Sequence, residues 1–224
     1  MELDEKIQQA LKATTVVRPP KQTLATFGTT NINYYLVTEL TEVVNIVREG
    51  NVIAEKPRIV TAGYLINLEG FSDQARRFVQ MMAEQSPHEP AVFYRYRNQP
   101  RQMDIVSGPV QQAVNNVVSM VESKGDPLAA VIKGVEEFWD VSLIKFTYEL
   151  TRKSLYSNVA EFQARGLLEV DKAGLPAEAR QHIEELFAHA RHDPSRVSEL
   201  ARELNQWGVF EEYQDRFFAL FGRR

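Results

Sequence analysis

The spacing of apolar positions predicts both helices and strands in the first 125 residues. Leu3, Ile7 and Leu11 recur at four-residue spacing, which predicts a short opening helix that ends before Pro19-Pro20. Residues 32–40 are rich in β-branched and aromatic side chains, and this composition predicts a strand. The helical and the extended period therefore occur together in this half of the chain.

Two hairpins are predicted after that strand. The first turns at Glu49-Gly50-Asn51, because glycine and asparagine tolerate the positive φ that tight hairpin turns require. The second turns at Asn98-Gln99-Pro100. The strands that flank these turns cover residues 43–48, 52–60, 91–97 and 101–106. With the strand at 32–40, they predict an antiparallel sheet of four to five strands.

Helices are predicted between these strands and after them. Ser72 is a suitable N-cap for a helix that includes Met82, and a further helix follows Pro109 and ends at Gly125. From Asp126 onward we predict no strand. Asp126-Pro127 is typical of a helix start, and that helix reaches about Tyr156 if it is unbroken. Asp140 and Ser142 are candidate positions for a kink or a break. The later helices are predicted at residues 158–165, 176–191, 194–207 and 209–221.

The predicted fold class is therefore α+β, with an antiparallel sheet and helices followed by an all-helical C-terminal half. A boundary near Gly125 separates residues 1–125, an α+β domain, from residues 126–224. The second part is either a helical domain or a helical layer packed on the first, and one continuous domain remains an alternative.

Composition and charge exclude several classes of function. The chain has no cysteine, which excludes disulfides, thiolate nucleophiles and thiolate metal sites. The net charge of −4 provides no overall attraction to phosphate. The acidic N-terminus does not resemble a signal peptide, and no apolar run reaches the length of a membrane helix. We therefore expect a cytoplasmic protein that does not bind membranes and needs no cofactor.

A cluster of imidazole and carboxylate groups is the first candidate site. His182, Glu185, His189 and His192 follow one another at helical spacing and share one flank of a predicted helix. Such groups one turn apart can bind a transition metal and support a metal-dependent enzyme. The spacing matches no established metal motif, and a solvated polar flank explains the same residues.

The second predicted hairpin is the candidate nucleic-acid site, which consists of Tyr94, Arg95, Tyr96, Arg97 and Arg101. Arginine can bind phosphate with two donors, and tyrosine can stack on a base. Strand alternation places Tyr94 and Tyr96 on one face and Arg95 and Arg97 on the other, so the alternative is a strand with packed tyrosines and solvated arginines.

An aromatic stripe near the C-terminus is the candidate interface. It consists of Phe210, Tyr213, Phe217 and Phe221, and it docks either on the chain's own core or on a second copy. Glu136 and Asp140 lie one helical turn apart, where like-charge repulsion can raise the pKa of one carboxyl group. We interpret them as part of a solvated acidic helix face.

These patterns give one leading hypothesis and two alternatives. The sequence contains no nucleophile-elbow motif, no dinucleotide-binding glycine motif and no P-loop motif. We therefore expect a non-enzymatic interaction or structural module that uses the aromatic C-terminal helix or a sheet edge and binds itself or another protein. The alternatives are a nucleic-acid-binding protein and a metal-dependent enzyme.

Overall fold

A computed structural model describes residues 2–61, 64, 90–172 and 174–221. It confirms the α+β fold class, with a five-stranded sheet in the N-terminal half and helices from residue 136 to 218. The strands are β1 (Thr15–Arg18), β2 (Thr30–Thr41), β3 (Val44–Ala54), β4 (Arg58–Val60), β5 (Ala91–Phe93), β6 (Tyr96–Ser107) and β7 (Ala129–Val135). The helices are α1 (Glu2–Ala13), α2 (Val110–Lys124), α3 (Trp139–Ala164), α4 (Ala177–His192), α5 (Val197–Trp207) and α6 (Phe210–Phe218).

The chain divides into two compact units. Unit 1 contains residues 1–57 and 94–158, and unit 2 contains residues 58–93 and 159–224. The predicted boundary at Gly125 lies inside unit 1, at the left-handed C-terminal cap of α2. The division into residues 1–125 and 126–224 stays a prediction, which limited proteolysis can test.

Unit 1 is built on the five-stranded sheet, in the order β1-β7-β2-β3-β6. Strands β2, β3 and β6 form an antiparallel meander, whereas β7 runs parallel to β2. Helix α2 covers one face over a core that includes Tyr35, Val37 and Val114. Helix α3 covers the other face over Leu36, Ile132 and Phe146. Apolar residues therefore occupy both faces of the central strands, which fixes their register.

Unit 2 contains the short antiparallel pair β4–β5 and the helices that follow α3. Its core joins α4, α5 and α6 through fully buried side chains such as Ile183, Phe187 and Leu204. Three predicted helices are confirmed here, since α4, α5 and α6 cover most of 176–191, 194–207 and 209–221.

Strand β7 is the largest difference from the prediction, which placed a helix from Asp126 onward. The side chain of Asp126 accepts from the Leu128 backbone N–H at 2.8 Å, so it closes a turn before a strand. Residues 129–132 are all buried between the two helical layers, and a central strand of this kind has no polar alternation. Because β7 runs parallel to β2, the sheet is mixed and not purely antiparallel as predicted. Helix α3 begins only at Trp139 and continues to Ala164, without a break at either candidate position.

Both predicted hairpin turns are wrong in position. Gly50 lies in the middle of β3, and the true turn between β2 and β3 is at residues 42–43. Pro100 lies inside β6, which runs unbroken from Tyr96 to Ser107. The opening helix and the helix ending at Gly125 are confirmed, and the helix expected after Ser72 lies outside the described residues.

Candidate functional site

Strand β6 forms one end of the sheet in unit 1. Within the described part of the chain it pairs with β3 and with no second strand. The Gly108 N–H donates to Val43 O at 2.8 Å, and the register pairs Ile46 with Ile105 and Arg48 with Met103. Because hydrogen-bonded and non-hydrogen-bonded pairs alternate in an antiparallel ladder, Met103, Ile105 and Ser107 direct their N–H and C=O groups away from β3. These backbone groups form a free edge.

The first half of β6 carries features that obstruct strand pairing. The ladder shifts register between Glu49 and Gly50, which leaves a bulge near Arg101. Pro100 lies beside it and has no N–H to donate. Natural sheets use such bulges and prolines to prevent pairing at their edges.

The second half of β6 lacks these obstructions and exposes apolar side chains. Met103 is 58% exposed and Ile105 is 68% exposed. Arg48 and Ile46, which pair with Met103 and Ile105, lie at alternate positions of β3, and the residue between them faces α2. Met103 and Ile105 therefore lie on the opposite face of the sheet, which α3 covers. We call residues 103–107 the open edge.

A groove of about 280 Å³ lies beside the open edge on the same face of the sheet. Its lining residues include Tyr34, Arg48, Pro100, Met103 and Trp139. Gly50 is required here, because a Cβ atom at this position would lie 2.5 Å from the Tyr34 hydroxyl oxygen. Burial raises the pKa of Tyr34, so its hydroxyl stays protonated.

A group of polar side chains fixes the end of this groove. Arg48 donates to both carboxylate oxygens of Glu136, at 2.6 Å and 2.5 Å. Its guanidinium lies 5.2 Å from the centre of the Trp139 ring. Thr38 also donates to Glu136. The hydrogen bonds from Arg48 lower the pKa of Glu136, which is the opposite of the direction that like-charge repulsion would give.

The flank of α3 that points toward β6 is also apolar and exposed. Tyr96 of β6 hydrogen-bonds Thr151 of α3, which identifies this flank. Ile144, Tyr148 and Leu155 lie on the same side as Thr151 at helical spacing, and all three are exposed. Exposed apolar side chains therefore lie both on the open edge and on this flank of α3, and exposed apolar surface of this kind is typical of protein-binding sites.

The residues of the predicted nucleic-acid site divide between two faces of the sheet. The Tyr94 hydroxyl donates to Asn158 at 2.7 Å, and burial raises the pKa of Tyr94 to about 12. Tyr94 and Tyr96 pack against the core under α3, whereas Arg101 hydrogen-bonds Asn33 and Asn51 on the other face. Arg95 and Arg97 are exposed. The tyrosines are thus separated from the arginines that were expected to act with them.

The predicted metal-binding residues lie on α4 in unit 2. His182 Nδ1 is 3.8 Å from Glu185 Oε2, and His189 and His192 are exposed. Burial, and then the nearby positive charge of Arg58, lowers the pKa of His182. Within residues 2–61, 64, 90–172 and 174–221, no three histidine, aspartate or glutamate side chains are grouped to hold a metal ion.

The predicted aromatic interface lies mainly in the core of unit 2. Tyr213 and Phe217 are buried there, and Phe210 packs against them. Phe221 is exposed and contacts Phe217 edge-on. Most of the stripe therefore stabilises its own unit, which was one of the two expected arrangements.

The sequence did not predict which strand forms the open edge, and it did not predict the groove beside that strand. The sequence shows Met103 and Ile105 in strand alternation, but it cannot show that β6 is the last strand of the sheet. The partnership of Arg48 with Glu136 joins residues 88 positions apart, and no local pattern predicts it.

No model of a protein family matches the chain, and neither a curated protein nor a solved structure matches it significantly. None of the helices in the described ranges is long and apolar enough to cross a membrane. The functional argument therefore depends on the geometry of the site.

Proposed function

We propose that this chain is a protein-interaction module that binds an extended segment of a protein as an added antiparallel strand on β6. The observation that carries the proposal is the open edge, where Met103, Ile105 and Ser107 direct backbone donors and acceptors outward beside exposed apolar side chains. An added strand would satisfy these groups with main-chain hydrogen bonds.

The groove supports selectivity for particular side chains. In strand addition, main-chain hydrogen bonds provide affinity and pockets for alternate side chains provide specificity. Arg48 is already held by Glu136, and Arg101 is held by Asn33, Asn51 and Glu49. Arg48 is therefore engaged on the face of the groove and Arg101 on the opposite face, and an apolar side chain fits the remaining surface of Tyr34, Met103 and Trp139. We expect bound segments to alternate apolar and polar residues.

Peptide display tests this function. Random peptides would be selected on protein immobilised at low density, first on the wild type and then on two variants. Ile105→Lys places a charge on the open edge, whereas Gln99→Lys places the same charge on the exposed first half of β6. Peptides with apolar alternation should bind the wild type and Gln99→Lys and lose at least about tenfold in affinity for Ile105→Lys, because the added strand would desolvate the new ammonium.

Amide hydrogen exchange provides the structural readout. Binding of a selected peptide should slow exchange at Met103, Ile105 and Ser107, since their N–H groups gain acceptors. Exchange at Asp104 should change less, because its N–H already lies in the ladder with β3. Selected peptides that bind Ile105→Lys as tightly as the wild type would refute the proposal.

A further inference from the structure

We infer that the open edge binds a second copy of this chain, with two β6 strands pairing antiparallel about a twofold axis at Ile105. This inference rests on the proposed function and names the occupant of the same edge. Its basis is that residues 103–107 are complementary to themselves in one register, as an isologous interface requires.

The length of the open edge determines where such an axis can lie. On one side the edge ends at Pro100 and the bulge beside Gly50. On the other side it ends at Gly108, whose φ of 112° leaves the extended conformation, and at Pro109. Three residues between these limits, Met103, Ile105 and Ser107, face outward. Ile105 is the middle one, so an axis there uses every outward-facing residue.

The axis at Ile105 gives compatible pairs. It places Ile105 opposite its own copy, Met103 opposite Ser107, and Asp104 opposite Val106. Each hydrogen-bonded pair exchanges two bonds, so the three pairs form about six main-chain hydrogen bonds. The two exposed Ile105 side chains meet on the α3 face, where cross-strand apolar pairs stabilise a sheet.

The neighbouring registers are poorer. An axis at Asp104 places two carboxylates directly opposite each other, which is destabilising. An axis at Val106 places the outward-facing groups of Met103 opposite Pro109. Pro109 has no N–H to donate and lies beyond the end of the extended strand. Asp104 therefore acts against one wrong register and Pro109 against the other.

The oligomeric state in solution tests the inference first. Light scattering after size-exclusion chromatography should show a dimer for the wild type and for Gln99→Lys, and a monomer for Ile105→Lys with unchanged circular dichroism. A wild type that stays monomeric over a wide concentration range would overturn the inference. So would a dimer that persists in Ile105→Lys.

Spin labels test the register. The chain has no cysteine, so Ser107→Cys and Gln99→Cys each introduce a single labelling position and leave Asp104 in place. An axis at Ile105 separates the two labels at position 107 by about four residue rises, or about 13 Å along the strand, which is close enough for dipolar broadening. Position 99 is six positions from the axis in each copy, one of them taken up by the bulge, so its two labels are about ten residue rises, or about 35 Å, apart. Equal separations at the two positions would overturn the register.

Failure of this inference is distinguishable from failure of the proposed function. In one outcome, the wild type is monomeric and a selected peptide protects the amides of Met103, Ile105 and Ser107. Such a result means that the edge binds strands but does not self-associate. In that outcome the second copy is excluded as the occupant and the interaction module stands. If no peptide and no second copy protects these amides, both proposals fail.

Discussion

Each unit contains an arginine paired with carboxyl groups, and the two clusters differ in how deeply those carboxyl groups are buried. In unit 1, Arg48 is paired with Glu136, and their side chains are 16% and 24% exposed. In unit 2, Arg58 lies 2.7 Å from Glu203 and 3.9 Å from Glu178, whose side chains are 9% and 2% exposed. One guanidinium therefore faces two buried carboxyl groups in unit 2.

The difference separates a structural cluster from one that borders a binding surface. Glu178 also accepts from the Ile59 backbone N–H at 3.2 Å, so the Arg58 cluster ties β4 to α4 and α5. Arg48 instead lies under Trp139 at the end of the groove, and its partner Glu136 is 24% exposed. We infer that the Arg58 cluster maintains its unit, whereas the Arg48 cluster also positions a ring that a ligand can contact.

The largest effect is expected from Arg58→Met. This change removes the guanidinium that lies 2.7 Å from the buried Glu203 carboxylate, and removal of one partner from a buried ion pair costs about 3–5 kcal/mol. Urea denaturation followed by circular dichroism measures the loss in free energy of unfolding.

Arg95→Met is the matched control for that prediction. Arg95 lies 3.8 Å from Glu55, and both side chains are well exposed, so its removal should change the free energy of unfolding by less than about 1 kcal/mol. Equal losses for the two substitutions would show that burial of the Arg58 cluster has no energetic consequence.

A smaller effect is expected from Arg48→Met. Glu136 loses two charged hydrogen bonds, but its partial exposure lets water replace them, so we expect a loss of about 1–3 kcal/mol. The double variant Arg48→Met/Glu136→Gln should recover part of this loss, because it leaves no unpaired carboxylate. A double variant less stable than Arg48→Met would contradict this explanation.

The smallest effect concerns acid stability. Burial lowers the folded-state pKa of His182 below its ordinary value of about 6.5, so its contribution to stability is present above that pH and is lost as the pH falls below it. Hydrogen bonds from Arg48 lower the pKa of Glu136, and Arg58 overcomes the opposing effect of burial and lowers the pKa of Glu203. Those two contributions are lost only in stronger acid.

His182→Gln should therefore flatten the dependence of stability on pH between about 7 and 5 and leave the more acidic limb unchanged. His189→Gln, at an exposed histidine on the same helix, is the control. Urea midpoints measured at several pH values provide the comparison. A wild-type slope that survives in His182→Gln would place the titrating group elsewhere.

The sequence predicts those elements whose pattern is determined locally. Helices α4 and α5 have an apolar stripe with a helical period, and the opening helix repeats at four residues, so all three were predicted. Strand β7 was missed because Ala129–Val135 is buried on both faces for most of its length. A short apolar run of this kind has no alternation, and it cannot be distinguished from buried helix by period alone.

The misplaced hairpins have a different cause, which is the tertiary role of two residues that are common in turns. Gly50 provides space for the Tyr34 ring, and Pro100 is tolerated because its position on β6 faces away from β3. Neither role can be read from neighbouring residues. The open edge was missed for the same reason, since the position of a strand within a sheet depends on pairings with distant segments.

The two tryptophans of the chain are divided between the units, with Trp139 above Arg48 in unit 1 and Trp207 beside Tyr64 in unit 2. Each unit thus contains its own intrinsic fluorophore. In Trp139→Phe the remaining indole emission comes from unit 2, and in Trp207→Phe it comes from unit 1. Comparison of the two emission spectra during denaturation would establish whether the units unfold in one transition or in two, without an external dye.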